Sequence, residues 1–117
     1  MAESVVRAKS FKFGIRIVKL SQHLVDKKRG FVLADQVLAS GTSIGANLEE
    51  AFAAVSRKEF IAKNAISYKE ARETHYWLRL LKESEMIEPK LADSLIADCE
   101  ELCKILSAII KSTRGRS

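Results

Sequence analysis

The sequence predicts an all-α fold, an up-down-up-down antiparallel four-helix bundle that takes up residues 1–117 as a single domain. Only one Pro and five Gly interrupt the chain, so long stretches contain no turn residue. In these stretches apolar residues recur at spacings of three and four, which is the period of an α-helix. The connections between them are short, and short connections make consecutive helices antiparallel neighbours. Apolar residues make up 47% of the chain and charged residues 30%, as in an ordinary globular domain.

Helix 1, predicted over about residues 5–26, has two apolar rows on nearly opposite sides. The first row contains Phe11, Ile15, Val18 and Val25, and the second contains Phe13, Ile17, Leu20 and Leu24. An apolar face of a helix is normally a covered face, and a lone bundle of this size covers only one of the two. We therefore expect one row to lie in the core and the other in a stable homo-oligomer.

Helix 2, predicted over about residues 33–54, is crowded with small residues. Gly41 and Gly45 lie one turn apart, and each costs about 1 kcal/mol of helix propensity relative to Ala. Such glycines indicate either a kinked or frayed helix or the close approach of another backbone. Because both lie on one side of the helix with Ala or Ser neighbours, we favour a close helix–helix crossing.

Two start signals place helices 3 and 4, over about residues 57–83 and 89–112. Ser56 and Glu59 form a capping box at the start of helix 3. Pro89 suits the first turn of helix 4. That helix then carries the most regular apolar stripe of the chain, with spacings of four and three. The stripe consists of Leu91, Leu95, Cys99, Leu102, Leu106 and Ile109.

The two cysteines, Cys99 and Cys103, lie four residues apart on helix 4. Two cysteines on one helix are poorly placed for a disulfide and supply at most half of a metal site, so we interpret them as core residues in a reducing compartment. No apolar run reaches the roughly 18 residues that span a bilayer, and the N-terminus has no signal-peptide segment. The sequence thus predicts a cytoplasmic protein that binds no membrane, metal or cofactor.

The enzymatic sites that are typical of helical bundles do not fit this sequence. A di-iron centre needs a carboxylate three residues before a His, whereas Arg72 precedes His75 and Leu20 precedes His23. A helical ribonuclease of the HEPN type places its Arg further ahead of its His than Arg72 stands from His75. Gly-rich phosphate loops, nucleophile elbows and paired-carboxylate patterns are missing as well. We therefore expect a non-enzymatic protein without catalytic residues.

The net charge of +5 is unevenly distributed. Residues 1–30 contain eight Lys or Arg and two acids, whereas residues 31–55 contain three acids and no Lys or Arg. The bundle topology brings the N-terminus, the helix 2–3 turn and the C-terminus to one end. The cations at this end are Arg7, Lys9, Lys12, Arg57, Lys58, Lys111, Arg114 and Arg116. This basic end is a candidate surface for RNA or DNA. From charge alone, a solvated surface that aids solubility fits equally well.

Polar residues on helices 2 and 3 form a second candidate site. They are Asn47, Glu50, Asn64, Tyr68, Arg72 and His75. The last four share a face of helix 3, because they follow one another at helical spacing. One interpretation is a ligand pocket. We favour a structural interpretation, in which a polar network locks helix 2 to helix 3 or lines a subunit contact, because satisfied buried polar groups mainly specify geometry.

Three motifs together are specific, although each alone is weak. They are Ser43-Ile44-x-x-Asn47-Leu48-x-Glu50-Ala51, Glu59-Phe60 and Glu70-Ala71-x-Glu73-Thr74-x-Tyr76-Trp77-Leu78. On these motifs the chain, from about Phe11 to Ile110, resembles the four-helix-bundle family of 23S rRNA intervening-sequence proteins. Ala51 is a departure, since the family often has Gly at this position.

The resemblance implies a ring-like homopentamer. It also implies kinship with accessory proteins of diversity-generating retroelements, which bind nucleic acid and a reverse transcriptase through a basic surface. It brings no catalytic residues to carry over. We therefore expect a homo-oligomer, by resemblance a pentamer, that binds RNA or DNA non-specifically through its basic end. The competing class is a protein-interaction scaffold or accessory factor with no nucleic-acid role, whose partner would be a reverse transcriptase or another protein.

Overall fold

The structure is a computed structural model that describes residues 2–27 and 30–115, and the side chains in these ranges from residue 5 onward. Within these ranges the chain forms four α-helices and no strand, which confirms the predicted all-α class. The helices are α1 (Ala2–Asp26), α2 (Phe31–Phe52), α3 (Arg57–Glu83) and α4 (Pro89–Arg114). α1 begins earlier than predicted. α2 ends at Phe52 rather than near residue 54, because the following residues form the turn that leads to the cap of α3.

The helices pack side by side in the cyclic order α1, α2, α3, α4, and α4 closes the ring of contacts by packing on α1. Within the described residues, the diagonal pairs α1–α3 and α2–α4 make no close backbone approach. Short connections turn the chain back at each end, so neighbouring helices are antiparallel. The result is an elongated bundle that measures 47 × 21 × 19 Å.

The core of the bundle is built from one apolar face of every helix. α1 contributes its second apolar row, in which Phe13, Ile17, Leu20 and Leu24 are all at most 3% exposed. The fully buried residues of the other helices include Ile44, Leu48, Leu78, Leu81, Leu95, Leu102 and Leu106. Each such side chain stabilises the fold by about 1.5–3 kcal/mol relative to exposure. Leu91 departs from the predicted stripe of α4, because it is 38% exposed and the neighbouring Ala92 is buried in its place.

The helix starts follow the signals in the sequence. Gly30 precedes α2 with a φ of 59°, a left-handed conformation that favours glycine. At the start of α3, the Ser56 hydroxyl accepts a hydrogen bond from the Glu59 N–H at 3.0 Å. The Glu59 carboxylate in turn accepts from the Val55 N–H at 3.1 Å, one residue before the cap. Pro89 is the first residue of α4, as predicted.

The close crossing predicted for helix 2 lies at Gly41, and the helix that crosses there is α1. A Cβ atom on Gly41 would come within 2.8 Å of Ile17 Cγ2, which is closer than two carbon atoms pack. At Gly45 the nearest atom to such a Cβ would be Ser10 Oγ at 3.5 Å, an ordinary contact. Gly41 is therefore required by the crossing, whereas Gly45 is not.

Candidate functional site

An apolar groove of about 550 Å³ runs between α1 and α2. This α1–α2 groove is lined from α1 by Phe11, Ile15 and Val18, and from α2 by Thr42, Gly45 and Ala46. Phe11 is 71% exposed. The three α1 residues belong to the first apolar row predicted from the sequence, which the bundle itself leaves uncovered.

The exposed row continues along α1 beyond the groove. Ile15, Val18 and Val25 are each between 40 and 43% exposed. Phe11, Ile15 and Val18 follow one another at spacings of four and three, as in a coiled-coil seam, and Val25 follows two turns later, after the polar Gln22. Exposed apolar residues on one face of a small domain are typical of an interaction surface. Among the described residues, nothing covers this apolar face of α1, which is therefore available to pack against another surface.

The α1 side of the predicted basic end is largely neutralised by ion pairs. Arg7 Nη2 lies 3.0 Å from Glu49 Oε2, and its guanidinium stacks over the Phe52 ring. Lys9 Nζ lies 3.0 Å from Glu101 Oε1. Lys12 lines a small cleft with this same Glu101. Two of the predicted cations therefore pair with carboxylates of α2 and α4, whereas Lys12 forms no ion pair among the described residues.

The remaining cations of the predicted basic end lie at the start of α3 and the end of α4. Arg57 Nη2 donates a hydrogen bond to the Thr113 carbonyl oxygen at 2.7 Å, which ties the two helix ends together. We define the α3/α4 basic end as Arg57, Lys58, Lys111 and Arg114. Among the described residues, no carboxylate forms an ion pair with any of these four side chains. Arg116 lies outside the described residues.

The six predicted polar residues do not hydrogen-bond to one another within the described chain. The amides of Asn47 and Asn64 each donate at 2.8 Å to a carbonyl of their own helix, those of Ser43 and Phe60. The buried Asn64 Oδ1 has no hydrogen-bond partner among the described residues. Side-chain amides bond to their own helix because the carbonyl four residues earlier is already within reach.

The other four predicted polar residues contact groups outside the predicted network. Glu50 pairs with Lys63 of α3 at 2.7 Å, and His75 Nε2 lies 3.0 Å from Glu100 of α4. Tyr68 is half-buried and Arg72 is exposed, and both line a cleft between α3 and α4. Of the six, Glu50 thus ties helix 2 to helix 3, but as an exposed ion pair rather than as part of a network.

Small hydroxyl side chains make the buried polar contacts between α2 and α3. Ser67 Oγ donates to the Ile44 carbonyl oxygen at 2.8 Å, and Thr74 Oγ1 lies 2.9 Å from Ser40 Oγ. All three hydroxyl residues are at most 1% exposed. Sequence reasoning missed them because it ranked larger polar groups first. The available signal was a set of single hydroxyls among apolar residues at helical spacing.

The two cysteines are buried thiols, as predicted. Cys99 donates to the Ala71 carbonyl oxygen at 3.2 Å. The hydrogen-bonding interaction with Cys103, together with burial, raises the pKa of Cys99. The same interaction and the charge of Arg72 lower the pKa of Cys103. The thiolate therefore forms more readily at Cys103 than at Cys99.

Two other kinds of site do not occur in the described residues. No group of three or more His, Cys, Asp or Glu side chains is arranged there to hold a metal ion. None of the helices in the same residues combines the length and apolarity that crossing a membrane requires.

The fold and its surfaces define a class of protein, a small antiparallel four-helix bundle with an open apolar groove and a basic end. Residues 2–108 match the family described as 23S rRNA-intervening sequence protein. The chain belongs to this family, which confirms the resemblance that its motifs indicate. No curated protein matches the chain.

Among solved structures, the chain is similar to a crystal structure from Bacteroides thetaiotaomicron VPI-5482. That structure, at 1.70 Å resolution, is of a protein with unknown function from the S23 ribosomal protein family. The two chains are 48% identical, and the match covers 95% of this chain and 99% of that chain with a TM-score of 0.92. This level of similarity supports the helix arrangement over nearly the whole chain.

Proposed function

We propose that this protein is a non-enzymatic, ring-like homo-oligomer that binds RNA or DNA non-specifically through its basic end. The subunit number of five rests on the family resemblance. The observation that carries the proposal is the α3/α4 basic end, in which four exposed cations lie together without a carboxylate partner among the described residues.

Unpaired cations are the groups that bind a phosphate backbone most favourably. A cation that neutralises a phosphate releases condensed counterions, so binding is favoured at low salt and weakens steeply as salt rises. A cation already paired with a carboxylate, such as Arg7 with Glu49, must first break that pair. We therefore assign the contacts to the start of α3 and the end of α4. Sequence-independent binding follows because phosphate contacts carry no base information.

Self-association supplies the affinity that four cations alone lack. The exposed row of α1, with Phe11 at its most exposed point, is an apolar face for a second copy of the chain to cover. Ring closure would place one basic end from every subunit on the same face. Linked weak sites act with a high effective concentration, so the ring would bind a long nucleic acid more tightly than a single subunit.

A matched pair of charge reversals tests the binding surface. Lys58 and Lys90 are both exposed and are both the second residue of a helix, α3 and α4. Because these helices are antiparallel, the two lysines lie at opposite ends of the bundle. A glutamate in a first helical turn interacts favourably with the helix dipole, so neither Lys58→Glu nor Lys90→Glu should unfold the protein. Both variants change the net charge equally.

We expect Lys58→Glu to weaken the binding of a labelled single-stranded RNA markedly more than Lys90→Glu at the same low salt concentration. The double variant Arg57→Glu/Lys58→Glu should abolish it. Circular dichroism confirms that each variant keeps its helices. Equal weakening by Lys58→Glu and Lys90→Glu would mean that net charge alone governs binding, and it would contradict a site at the α3/α4 basic end.

The α1–α2 groove favours a second candidate function, a scaffold that binds a helix of a partner such as a reverse transcriptase. An amphipathic helix docks into an apolar groove through side chains at helical spacing. The two candidates differ in what Phe11→Asp does. If the protein is an oligomer that binds nucleic acid, Phe11→Asp lowers the assembly mass measured in solution without RNA and also weakens RNA binding. If the protein is a scaffold, Phe11→Asp leaves the assembly mass unchanged, and the wild-type protein binds no RNA.

A further inference from the structure

A second groove, of about 370 Å³, runs between α3 and α4 on the flank of the bundle. We call it the α3–α4 groove. It is lined by Tyr68, Arg72, Cys103, Lys104, Ser107 and Lys111, with Ala108 between them. Three of its side chains are cations and two carry hydroxyl groups that donate hydrogen bonds. None of its lining residues is acidic. Cations and hydroxyls without carboxylates are the donor set of a phosphate site.

The cations of this groove differ from three of the cations on the α1 flank. Arg7, Lys9 and Arg16 of α1 all pair with carboxylates at 2.6–3.0 Å. Within the described residues, Arg72 and Lys104 form no ion pair. The nearby carboxylate of α4, Glu100, is engaged by His75 at 3.0 Å. Among the described residues, no carboxylate lines the groove or forms an ion pair with its cations.

The groove is continuous with the α3/α4 basic end through Lys111, which belongs to both. Lys104 follows two turns further from the end, about 10 Å along the helix. We propose that the α3–α4 groove binds the phosphodiester backbone of a nucleic-acid strand and leads it from the basic end along the flank of each subunit. This inference rests on the proposed nucleic-acid-binding function and adds to it a path that the sequence charge pattern does not single out.

Cys103 provides a reporter inside the groove. It is 8% exposed, whereas Cys99, one turn away, is fully buried. The hydrogen-bonding interaction with Cys99 and the charge of Arg72 lower the pKa of Cys103, which favours its reactive thiolate. A strand bound in the groove would both cover Cys103 and occupy Arg72. The alkylation rate of Cys103 should therefore fall when a strand binds in the groove. It should not change when a strand binds elsewhere on the protein.

The test combines alkylation with a set of charge variants. The first measurement is the rate at which iodoacetamide modifies Cys103 of the wild-type protein, with and without a single-stranded oligouridylate, the modified cysteine being located by mass spectrometry. The second measurement is the affinity of the variant Arg72→Gln/Lys104→Gln for the same oligouridylate. The control is Lys27→Gln/Lys90→Gln, which removes the same charge from exposed positions at the opposite end of the bundle.

We expect the oligouridylate to slow alkylation of Cys103 several-fold. We also expect Arg72→Gln/Lys104→Gln to bind more weakly than its control and to lower the slope of log affinity against log salt by about 1.4, or about 0.7 for each phosphate that the variant no longer neutralises. A different pattern would contradict binding in the groove. In that pattern, the oligouridylate binds wild type but not Arg57→Glu/Lys58→Glu, it does not protect Cys103, and Arg72→Gln/Lys104→Gln binds as tightly as its control. Nucleic-acid binding at the α3/α4 basic end would then still be supported.

Two other outcomes also decide the matter. If the wild-type protein binds no oligouridylate, both the strand path along the α3–α4 groove and the proposed nucleic-acid-binding function are contradicted. Equal protection of Cys103 by inorganic phosphate, at the same concentration of phosphate groups, would indicate a site for free anions and would overturn a strand path. Protection by the oligouridylate alone supports the inference.

Discussion

The pair Gly41 and Gly45 allows the cost of the α1–α2 crossing to be measured within one helix. Replacing either glycine by alanine gains about 1 kcal/mol of helix propensity, and this gain is common to both variants. The steric terms differ. A methyl group on Gly41 would lie 2.8 and 2.9 Å from two carbons of the Ile17 side chain, whereas on Gly45 its nearest neighbour is Ser10 Oγ at 3.5 Å. Ile17 is fully buried and β-branched, so it has little room to move.

Overpacking of this kind costs about 1–3 kcal/mol. We therefore expect Gly41→Ala to be less stable than Gly45→Ala by about that amount, and Gly45→Ala to equal or exceed the wild type. Urea denaturation followed by circular dichroism measures the difference, at one fixed chain concentration because the stability of an oligomer depends on it. Equal midpoints for the two alanine variants would refute the tight crossing at Gly41.

Three further predictions concern the interface, the buried hydroxyls and the thiols. Phe11→Asp should place a charge in the exposed row of α1 and reduce the oligomer to a 13.1 kDa monomer in light scattering, whereas the control Val55→Asp, at a 94% exposed position outside the groove, should not. A wild-type mass of 13.1 kDa would already contradict self-association. Thr74→Val should destabilise the protein by about 1–2 kcal/mol, because it leaves the buried Ser40 hydroxyl without its partner. Thr113→Val, which removes a bond only within α4, should cost less in the same urea titration. Because the pKa of Cys103 is lowered and that of Cys99 is raised, alkylation of Cys103 should increase at a lower pH than that of a free cysteine, while Cys99 stays unmodified. Faster modification of Cys99 would contradict this assignment.

Local signals in the sequence were sufficient to predict the helices. Ser56 and Pro89 mark the starts of α3 and α4 because capping depends on residues a few positions apart. The buried row of α1 follows from periodicity, which reports directly on which face is covered. Gly41 and Gly45 show the limit of such reasoning. Their spacing in the sequence would allow both to lie at one helix–helix crossing. Only Gly41 is in tight contact with α1, however, because the distance to α1 at each position depends on the tertiary structure.

The candidate site depended more strongly on the fold. The sequence places Arg7 and Arg57 at one end of the bundle, but it does not reveal that Glu49 neutralises the first and that the second stays without a carboxylate partner among the described residues. Ion pairing between residues far apart in sequence is set by helix rotation, which periodicity defines only coarsely. The same limit applies to Arg72 and Lys104, whose shared groove exists only once α3 and α4 are packed.

The most direct test of nucleic-acid binding is the salt dependence of wild-type affinity for a labelled single-stranded RNA. If the four cations of one α3/α4 basic end each contact a phosphate, the log of the association constant should fall against log salt with a slope of about −3 or steeper, at about −0.7 for each contact. Engagement of several subunits or of the α3–α4 groove would steepen it. A slope near zero, or no binding even at low salt, would contradict a phosphate-binding surface on this bundle.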